Sequence, residues 1–350
     1  MKKVIVSGKW NDDGGRPSGY ATKLIEGLGD DWIALCGGTW QELQEYAIPM
    51  AYQADILIWM PDVPNNKTKH LNTIKKVHPK CILVSSKNNR QNKYNFKQLI
   101  GRALKSKSNL LIEFTEDEDG LIEASVFDPL GNAFCYKENN PQRVGRIINN
   151  RVNRLVDFTR IGSKQVGNKI EVPNEDDLFN LVHQYADTFH KLIHGANPER
   201  FMGNVSFRCT FGFPSFRHNN MIFVSRRNID KRLLGRKGFV GVNLNPDKVE
   251  YYGEYKASVD TPIQIRIYNY YQKINYILHS HTYIEGAPFT HEIIPCGAVE
   301  EAKEVTSYLP DSNIDCAYLN LKGHGSIALA NKVEQLQNIP YMARNIPEIV

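Results

Sequence analysis

The run Ile265-Arg266-Ile267-Tyr268-Asn269-Tyr270-Tyr271-Gln272-Lys273-Ile274-Asn275-Tyr276-Ile277-Leu278, closing on His279-Ser280-His281, is the stretch from which the second half of the chain is read. It is rich in apolar and aromatic residues and reads as a helix running into a strand. On a strand, residues two apart point to the same face. His279 and His281 then stand side by side, the simplest way for a strand to offer two metal ligands. Zinc and similar divalent ions take imidazole nitrogen readily, and catalytic sites usually have three protein ligands and an open position. A third candidate is His324, in Leu319-Asn320-Leu321-Lys322-Gly323-His324-Gly325. Its flanking glycines leave room for close approach of a metal or substrate. An isolated His-x-His also occurs by chance, and the downstream Gly-His-Gly is what strengthens it.

Composition sets the bounds. A chain of 350 residues suggests two domains with ample material for sizeable cores. Hydrophobic content of 41% and charged content of 23% are ordinary for a soluble globular protein. The net charge of +5 suits an anionic small molecule and does not imply nucleic-acid binding. The six cysteines, Cys36, Cys81, Cys135, Cys209, Cys296 and Cys316, are dispersed without a C-x-x-C pair, so they suggest neither a thiolate zinc site nor a disulfide framework. The N-terminal Met1-Lys2-Lys3-Val4-Ile5-Val6 starts a strand at once and lacks the apolar run of a signal peptide. No segment has the roughly 18 consecutive apolar residues of a membrane span. A cytoplasmic protein is expected.

In the first half, short apolar strands (Val4 to Val6, Trp32 to Cys36, Asp55 to Met60, Cys81 to Ser85) alternate with helical stretches near Trp40 to Ala51 and Lys67 to His78. That alternation predicts a parallel sheet covered by helices. Ligands of such sheets bind beyond the carboxyl ends of the strands. Those ends carry Gly14-Gly15-Arg16, Gly37-Gly38-Thr39, Pro61-Asp62 and Ser85-Ser86-Lys87. The set would suit a nucleotide or phosphate, although Gly and Ser also simply end strands. No G-x-G-x-x-G or Walker sequence is present. With Ala54-Asp55-Ile56-Leu57-Ile58-Trp59-Met60-Pro61, the outline resembles nucleoside deoxyribosyltransferase-type domains. Two more strands are expected near Leu110 to Phe114 and Leu121 to Phe127, joined by the acidic turn Glu116-Asp117-Glu118-Asp119-Gly120. A basic helix, Arg143 to Arg154, leads to a boundary in Gly162 to Asn174.

Beyond it, Pro173-Asn174-Glu175-Asp176 signals a helix start. Leu178, Leu181, Val182, Tyr185, Phe189 and Leu192 carry its 3.6-residue period. The strand-rich remainder, from about Pro173 to Gln337, resembles the class II aldolase/adducin family. That family includes zinc-dependent sugar-phosphate aldolases, a pentose-phosphate 4-epimerase, a thiosugar-phosphate dehydratase and non-catalytic adducin heads. The resemblance lies in Gly203-Asn204-Val205-Ser206-Phe207-Arg208, in Ile222-Phe223-Val224-Ser225-Arg226-Arg227-Asn228, in Ser258-Val259-Asp260-Thr261-Pro262, and in the three histidines, which match the family's one for one. The resemblance implies that His279, His281 and His324 hold the metal and that Asn204 helps hold a substrate phosphate. Two departures stand out. Arginines replace the family's Pro and Ser before a lost Gly, so Arg227 could supply a bidentate guanidinium. Val259 replaces a serine. Asp260 stands where aldolases carry a Glu acid/base and the 4-epimerase an Asp against the metal, and it could equally cap a helix. Glu300 and Glu301, after Pro295-Cys296-Gly297, open another helix where carboxylates favour the dipole. His291 has no family counterpart.

The expectation is an α/β chain. A Rossmann-like or flavodoxin-like parallel-sheet domain (1–162) precedes a class II aldolase-like α/β/α domain with a mostly antiparallel central sheet (170–350). The resemblance implies a metal-dependent lyase, of aldehyde-lyase type, or an epimerase. It would act through an enediolate on a small phosphorylated or otherwise anionic sugar, with Asp260 as acid/base or metal contact. Asn204, Ser225, Arg227 and Ser258 would hold the anionic end. The cofactor would be a divalent ion: zinc, or manganese, cobalt or iron. A homotetramer is implied, in which a neighbouring subunit could supply a further acid. The competing expectation is a nucleotide-binding first half on a metal-holding scaffold that no longer turns over.

Overall fold

The computed structural model describes residues 2–7, 19–36, 56–59, 75, 81–193, 203–208 and 220–350. The expected polar loop 11–18, the strand ends at 37–39 and 61–62, and the expected helices at 40–51 and 67–78 (Lys75 excepted, which is helical) lie outside the described residues. The chain divides into two compact units, Met1–Asp157 with Asn345–Val350, and Phe158–Arg344.

The first unit holds strands β1 (Lys2–Ser7), β2 (Trp32–Cys36), β3 (Ile56–Trp59), β4 (Ile82–Asn88), β5 (Leu110–Glu116), β6 (Ile122–Phe127) and β7 (Asn132–Glu138). Its helices are α1 (Gly19–Leu28), α2 (Phe96–Ser106) and α3 (Pro141–Asp157). Strands β2, β1, β3, β4 and β5 lie side by side in that order, all parallel. The order 2-1-3-4-5 is the flavodoxin-like one, whose ligand crevice opens between the first and third strands. The parallel expectation stops at β5. Strands β6 and β7 continue the sheet antiparallel, because the turn after β5 is too short for a crossover. Asp117 closes that turn, its Oδ1 accepting the N–H groups of Asp119 and Leu121 at 3.0 and 2.7 Å.

Helix α2 carries no sequence-level expectation above. It starts in a capping box, Asn95 and Gln98 exchanging side-chain bonds with each other's N–H, and buries Leu99, Ile100 and Ala103. The last strand, β18 (Glu348–Ile349), pairs in parallel with Asn132 and Ala133 of β7. The expected second domain ran to Val350, but these main-chain bonds place the chain's final residues in the first unit.

The second unit is built on β8 (Ser163–Gly167), β9 (Asn204–Arg208), β10 (Met221–Ser225), β11 (Phe239–Asn243), β12 (Val249–Tyr252), β13 (Tyr276–Ser280), β15 (Cys316–Leu321) and β16 (Gly325–Ala330). These form one sheet, ordered 15-16-13-9-10-11-12-8, with every described neighbour antiparallel except β12 and β8. A short pair, β14 (Tyr283–Ile284) with β17 (Tyr341–Met342), lies apart. Alternate residues feed opposite cores. Met221, Phe223, Leu278, Ala328 and Ala330 pack with α4 (Asp176–Ile193), the helix expected from its 3.6 period. Ile222, Val224, Ile277, Ile327 and Leu329 pack with α5 (Thr261–Tyr270) and α6 (Glu300–Tyr308). This is an α/β/α sandwich with period-two strands.

Candidate metal centre

The 265–281 run forms the end of α5, a turn and then β13. His279 lies two residues beyond Ile277, on the face covered by α5 and α6, and pairs in register with Asn204 of β9. His281 follows at the strand end. His324 comes from the turn between β15 and β16. Gly325 makes the meeting possible. A Cβ there would sit 2.0 Å from the Ser280 carbonyl oxygen and 2.7 Å from the His281 Cα, so only a glycine lets β16 pass this close. The three imidazole rings lie 4.7 to 5.1 Å apart, centroid to centroid. One ring nitrogen from each falls within 4.8 Å of the others.

The ring orientations suit a cation. His279 Nδ1–H donates to the Ser326 carbonyl at 2.8 Å, which turns its Nε2 lone pair inward. That Nε2 and the His281 Nδ1 are buried without a hydrogen-bond partner, a costly arrangement unless something accepts electrons from them. Burial, and then the neighbouring His324, push His279 down to about 4. The same causes hold His281 well below the ordinary histidine range. Both are therefore neutral rings, the form that binds metal. His324 Nδ1–H donates to Glu301 Oε1 at 2.5 Å, both groups fully enclosed. Carboxylate–histidine pairs of this kind orient metal-binding imidazoles. The donor set fits a divalent ion of the zinc type.

Asp260 stands at the N-cap position of α5 but makes no side-chain capping bond. Its Oδ2 instead accepts from Asn204 Nδ2 at 2.9 Å, and its Oδ1 is buried without a partner. A carboxylate oxygen of Asp260 lies within 4.8 Å of a His324 ring nitrogen. The strand holding Asn204 explains this placement. Asn204, Ser206 and Arg208 share one face of β9. Asn204 Oδ1 accepts from Gln264, Ser206 Oγ meets the Tyr268 hydroxyl at 3.0 Å, and Arg208 Nε–H donates to the Ile274 carbonyl at 2.9 Å. The Asn-x-Ser-x-Arg spacing thus fastens β9 to α5 and its exit, and so fixes Asp260.

The residues expected at the anionic end are dispersed in environment. Ser225 is fully buried and its Oγ accepts the Val205 N–H at 3.2 Å. Ser258 is half-buried, its N–H donating to the Ser225 carbonyl. Arg227 is exposed, with its N–H on the Lys256 carbonyl. Asn204 is buried, with both ends of its amide engaged as above. Glu300 accepts the Thr159 N–H, and His291 is exposed, its N–H on Glu304.

Three residues near the centre go beyond the sequence reading. Glu301 reads as one of two interchangeable helix-opening acids, yet only it reaches His324. Cys296 reads as one dispersed cysteine, yet its Sγ lies 2.9 Å from His324 Nε2. Lys231 carries no motif at all. It is buried, donates to the Ile229 carbonyl at 3.2 Å, and is pushed down to about 8 by burial, against the pull of Asp230 and Asp260. No local spacing in the sequence links any of the three to a histidine far along the chain.

Residues 183–337 match the family model described as the Class II Aldolase and Adducin N-terminal domain. No curated protein matches the chain. Among solved structures, an L-fuculose 1-phosphate aldolase is 17% identical, covering 47% of this chain and 82% of its own, with a TM-score of 0.34. The L-fuculose-1-phosphate aldolase from Thermus thermophilus is also 17% identical, covering 48% and 83%, with a TM-score of 0.31. The C-terminal domain of the coenzyme A biosynthesis bifunctional protein CoaBC is 11% identical, covering 45% and 98%, with a TM-score of 0.34. The stretch 183–337, which contains all three histidines, Asp260 and Glu301, carries a domain of the class II aldolase and adducin family.

Proposed function

We propose that the second unit is a metal-dependent lyase, of aldehyde-lyase type, or an epimerase, acting on a small phosphorylated or otherwise anionic sugar. The observation that carries this reading is the cluster of three histidines, two of them with buried ring nitrogens that lack a hydrogen-bond partner, beside a carboxylate that lacks a partner on one oxygen. Zinc, manganese, cobalt or iron bound there would polarise a carbonyl and its neighbouring hydroxyl and stabilise the substrate's enediolate. His279, His281 and His324 would hold the ion, with Ser326 and Glu301 fixing two of the rings. Asp260 Oδ1 is free to take or return a proton, while Asn204 keeps the other oxygen in place. Arg227 and Ser258, with the backbone near Ser225, would face the anionic end.

A nucleotide or nucleoside bound by the first unit is a further part of the proposal. The 2-1-3-4-5 strand order supports it, because that order creates a crevice between β1 and β3. The likeness to nucleoside deoxyribosyltransferase-type domains, the fourfold assembly and the cytoplasmic location belong to the same proposal. No described helix is long and apolar enough to cross a membrane.

The test is metal content by mass spectrometry of the full chain, its His279→Ala and its His324→Ala variants. About one divalent ion per chain, lost in both variants, is expected, followed by turnover in a screen of sugar phosphates. A wild type that cannot be loaded with any of the four metals refutes the lyase reading and leaves a ligand-binding scaffold.

A further inference from the structure

We propose that Cys296 is a further protein ligand of the metal held by His279, His281 and His324, binding as a thiolate. The inference rests on the metal-centre reading above and extends it to a donor outside the three histidines.

The geometry is the first argument. Cys296 Sγ lies 2.9 Å from His324 Nε2. Zinc binds sulfur at about 2.3 Å and imidazole nitrogen at about 2.0–2.1 Å, so two such donors on one ion can stand at most about 4.4 Å apart. The sulfur is inside that reach. Asp260, Cys296 and His324 also form a second donor trio, their atoms within 4.8 Å of one another. Its carboxylate is nine-tenths buried, and one oxygen has no partner. The two trios share His324.

The backbone holds the sulfur there. Gly297 has φ +77°, and a Cβ on it would lie 2.7 Å from Val259 Cγ1 and 3.1 Å from the Val259 oxygen. The turn carrying Cys296, closed by Ala298 N–H on the Pro295 carbonyl at 3.1 Å, therefore presses against the residue just before Asp260. A side chain at 297 would collide with Val259.

Hydrogen-bond accounting completes the case. With the Nδ1 side of His324 held by Glu301, a cation at this ring would have to use Nε2. Cys296 Sγ is the atom that stands beside Nε2. An ion held by Nε2 would occupy that nitrogen and would leave the neighbouring sulfur without it as a hydrogen-bond partner. Loss of the S–H proton to solvent would free the sulfur to bind the ion as a thiolate, which would offset part of the ion's charge. A thiolate donor also favours zinc or cobalt over manganese or magnesium.

The test uses the full chain loaded with Co(II). Visible absorption from a four- or five-coordinate cobalt centre reports occupancy of the histidine site. A thiolate-to-cobalt charge-transfer band in the near ultraviolet reports sulfur ligation. Wild type should show both. Cys296→Ser should keep the visible bands and lose the near-ultraviolet one, and bound metal should protect Cys296 from alkylation mapped by mass spectrometry. Visible bands in wild type without the charge-transfer band overturn the proposal, as does the same band in Cys296→Ser. Absence of any cobalt spectrum overturns the histidine centre itself, and the inference with it. The wild-type spectrum alone decides the matter if the variant fails to fold.

Discussion

Replacing Glu301 should weaken metal binding by the three histidines, although its carboxylate is spent on His324. The carboxylate accepts from His324 Nδ1–H at 2.5 Å, with the histidine at 0% and the glutamate side chain at 4% exposure, so solvent screens little of the interaction. Partners of metal-binding histidines are typically worth about 10- to 100-fold in affinity, or roughly 1.4 to 2.7 kcal/mol. Glu301→Gln keeps an oxygen to accept from Nδ1–H but loses the charge. A neutral bond is about half as strong as a charge-assisted one, so about a tenfold loss is expected. Glu301→Ala leaves the ring without an orienting partner and should approach about 100-fold. The assay is competitive titration of zinc against a chromophoric chelator, with circular dichroism of each variant to show that it is folded. Folded variants with the affinity of wild type would refute the reasoning, and so would equal losses for Glu300→Ala, whose carboxylate accepts from Thr159 instead.

Stripping the metal with a strong chelator should lower stability. A ligand present at 100 times its dissociation constant contributes about 2.7 kcal/mol, read as a fall in melting temperature that zinc restores. Asp260→Asn can keep the contact to Asn204 but loses the proton-carrying carboxylate, so turnover should fall by about 10²–10⁴; full activity in this variant would remove Asp260 from the mechanism. Lys231 has a proton affinity lowered from 10.5 to about 8, so between those values the unfolded chain binds a proton the folded chain does not, and stability from this group climbs with pH. Lys231→Met should therefore stabilise most below that window, by up to about 3 kcal/mol, and the gain should vanish above it in denaturant unfolding. Phe223→Ala, at a fully buried position stacked on Phe207, should cost about 3–5 kcal/mol of second-unit stability.

Much of this was legible in the sequence because it is local. The short apolar strands of the first half and the 3.6 period of α4 are written in neighbouring residues. The His-x-His at the end of a strand, the Gly-His-Gly turn and the Asn-x-Ser-x-Arg face are likewise properties of short stretches. Each survives into the structure because the surrounding backbone takes the conformation that the stretch itself favours. The antiparallel turn after β5 was equally readable, its length excluding a crossover.

What the sequence did not decide depends on which distant segments pack together. Cys296 and Glu301 differ from the dispersed cysteines and helix-opening acids elsewhere only through the fold. The fold brings the 295–301 segment onto the same face of the sheet as His324. Asp260 satisfied every local criterion for a helix cap, yet its carboxylate turns to Asn204 of β9, which lies 56 residues away in the chain. The last residues follow the second unit in the chain, yet main-chain bonding to β7 places them in the first unit. Sequence determines what a residue can donate, accept or bury. Only the tertiary structure decides which partner it meets, because that choice is made by the burial of whole faces rather than by any one side chain.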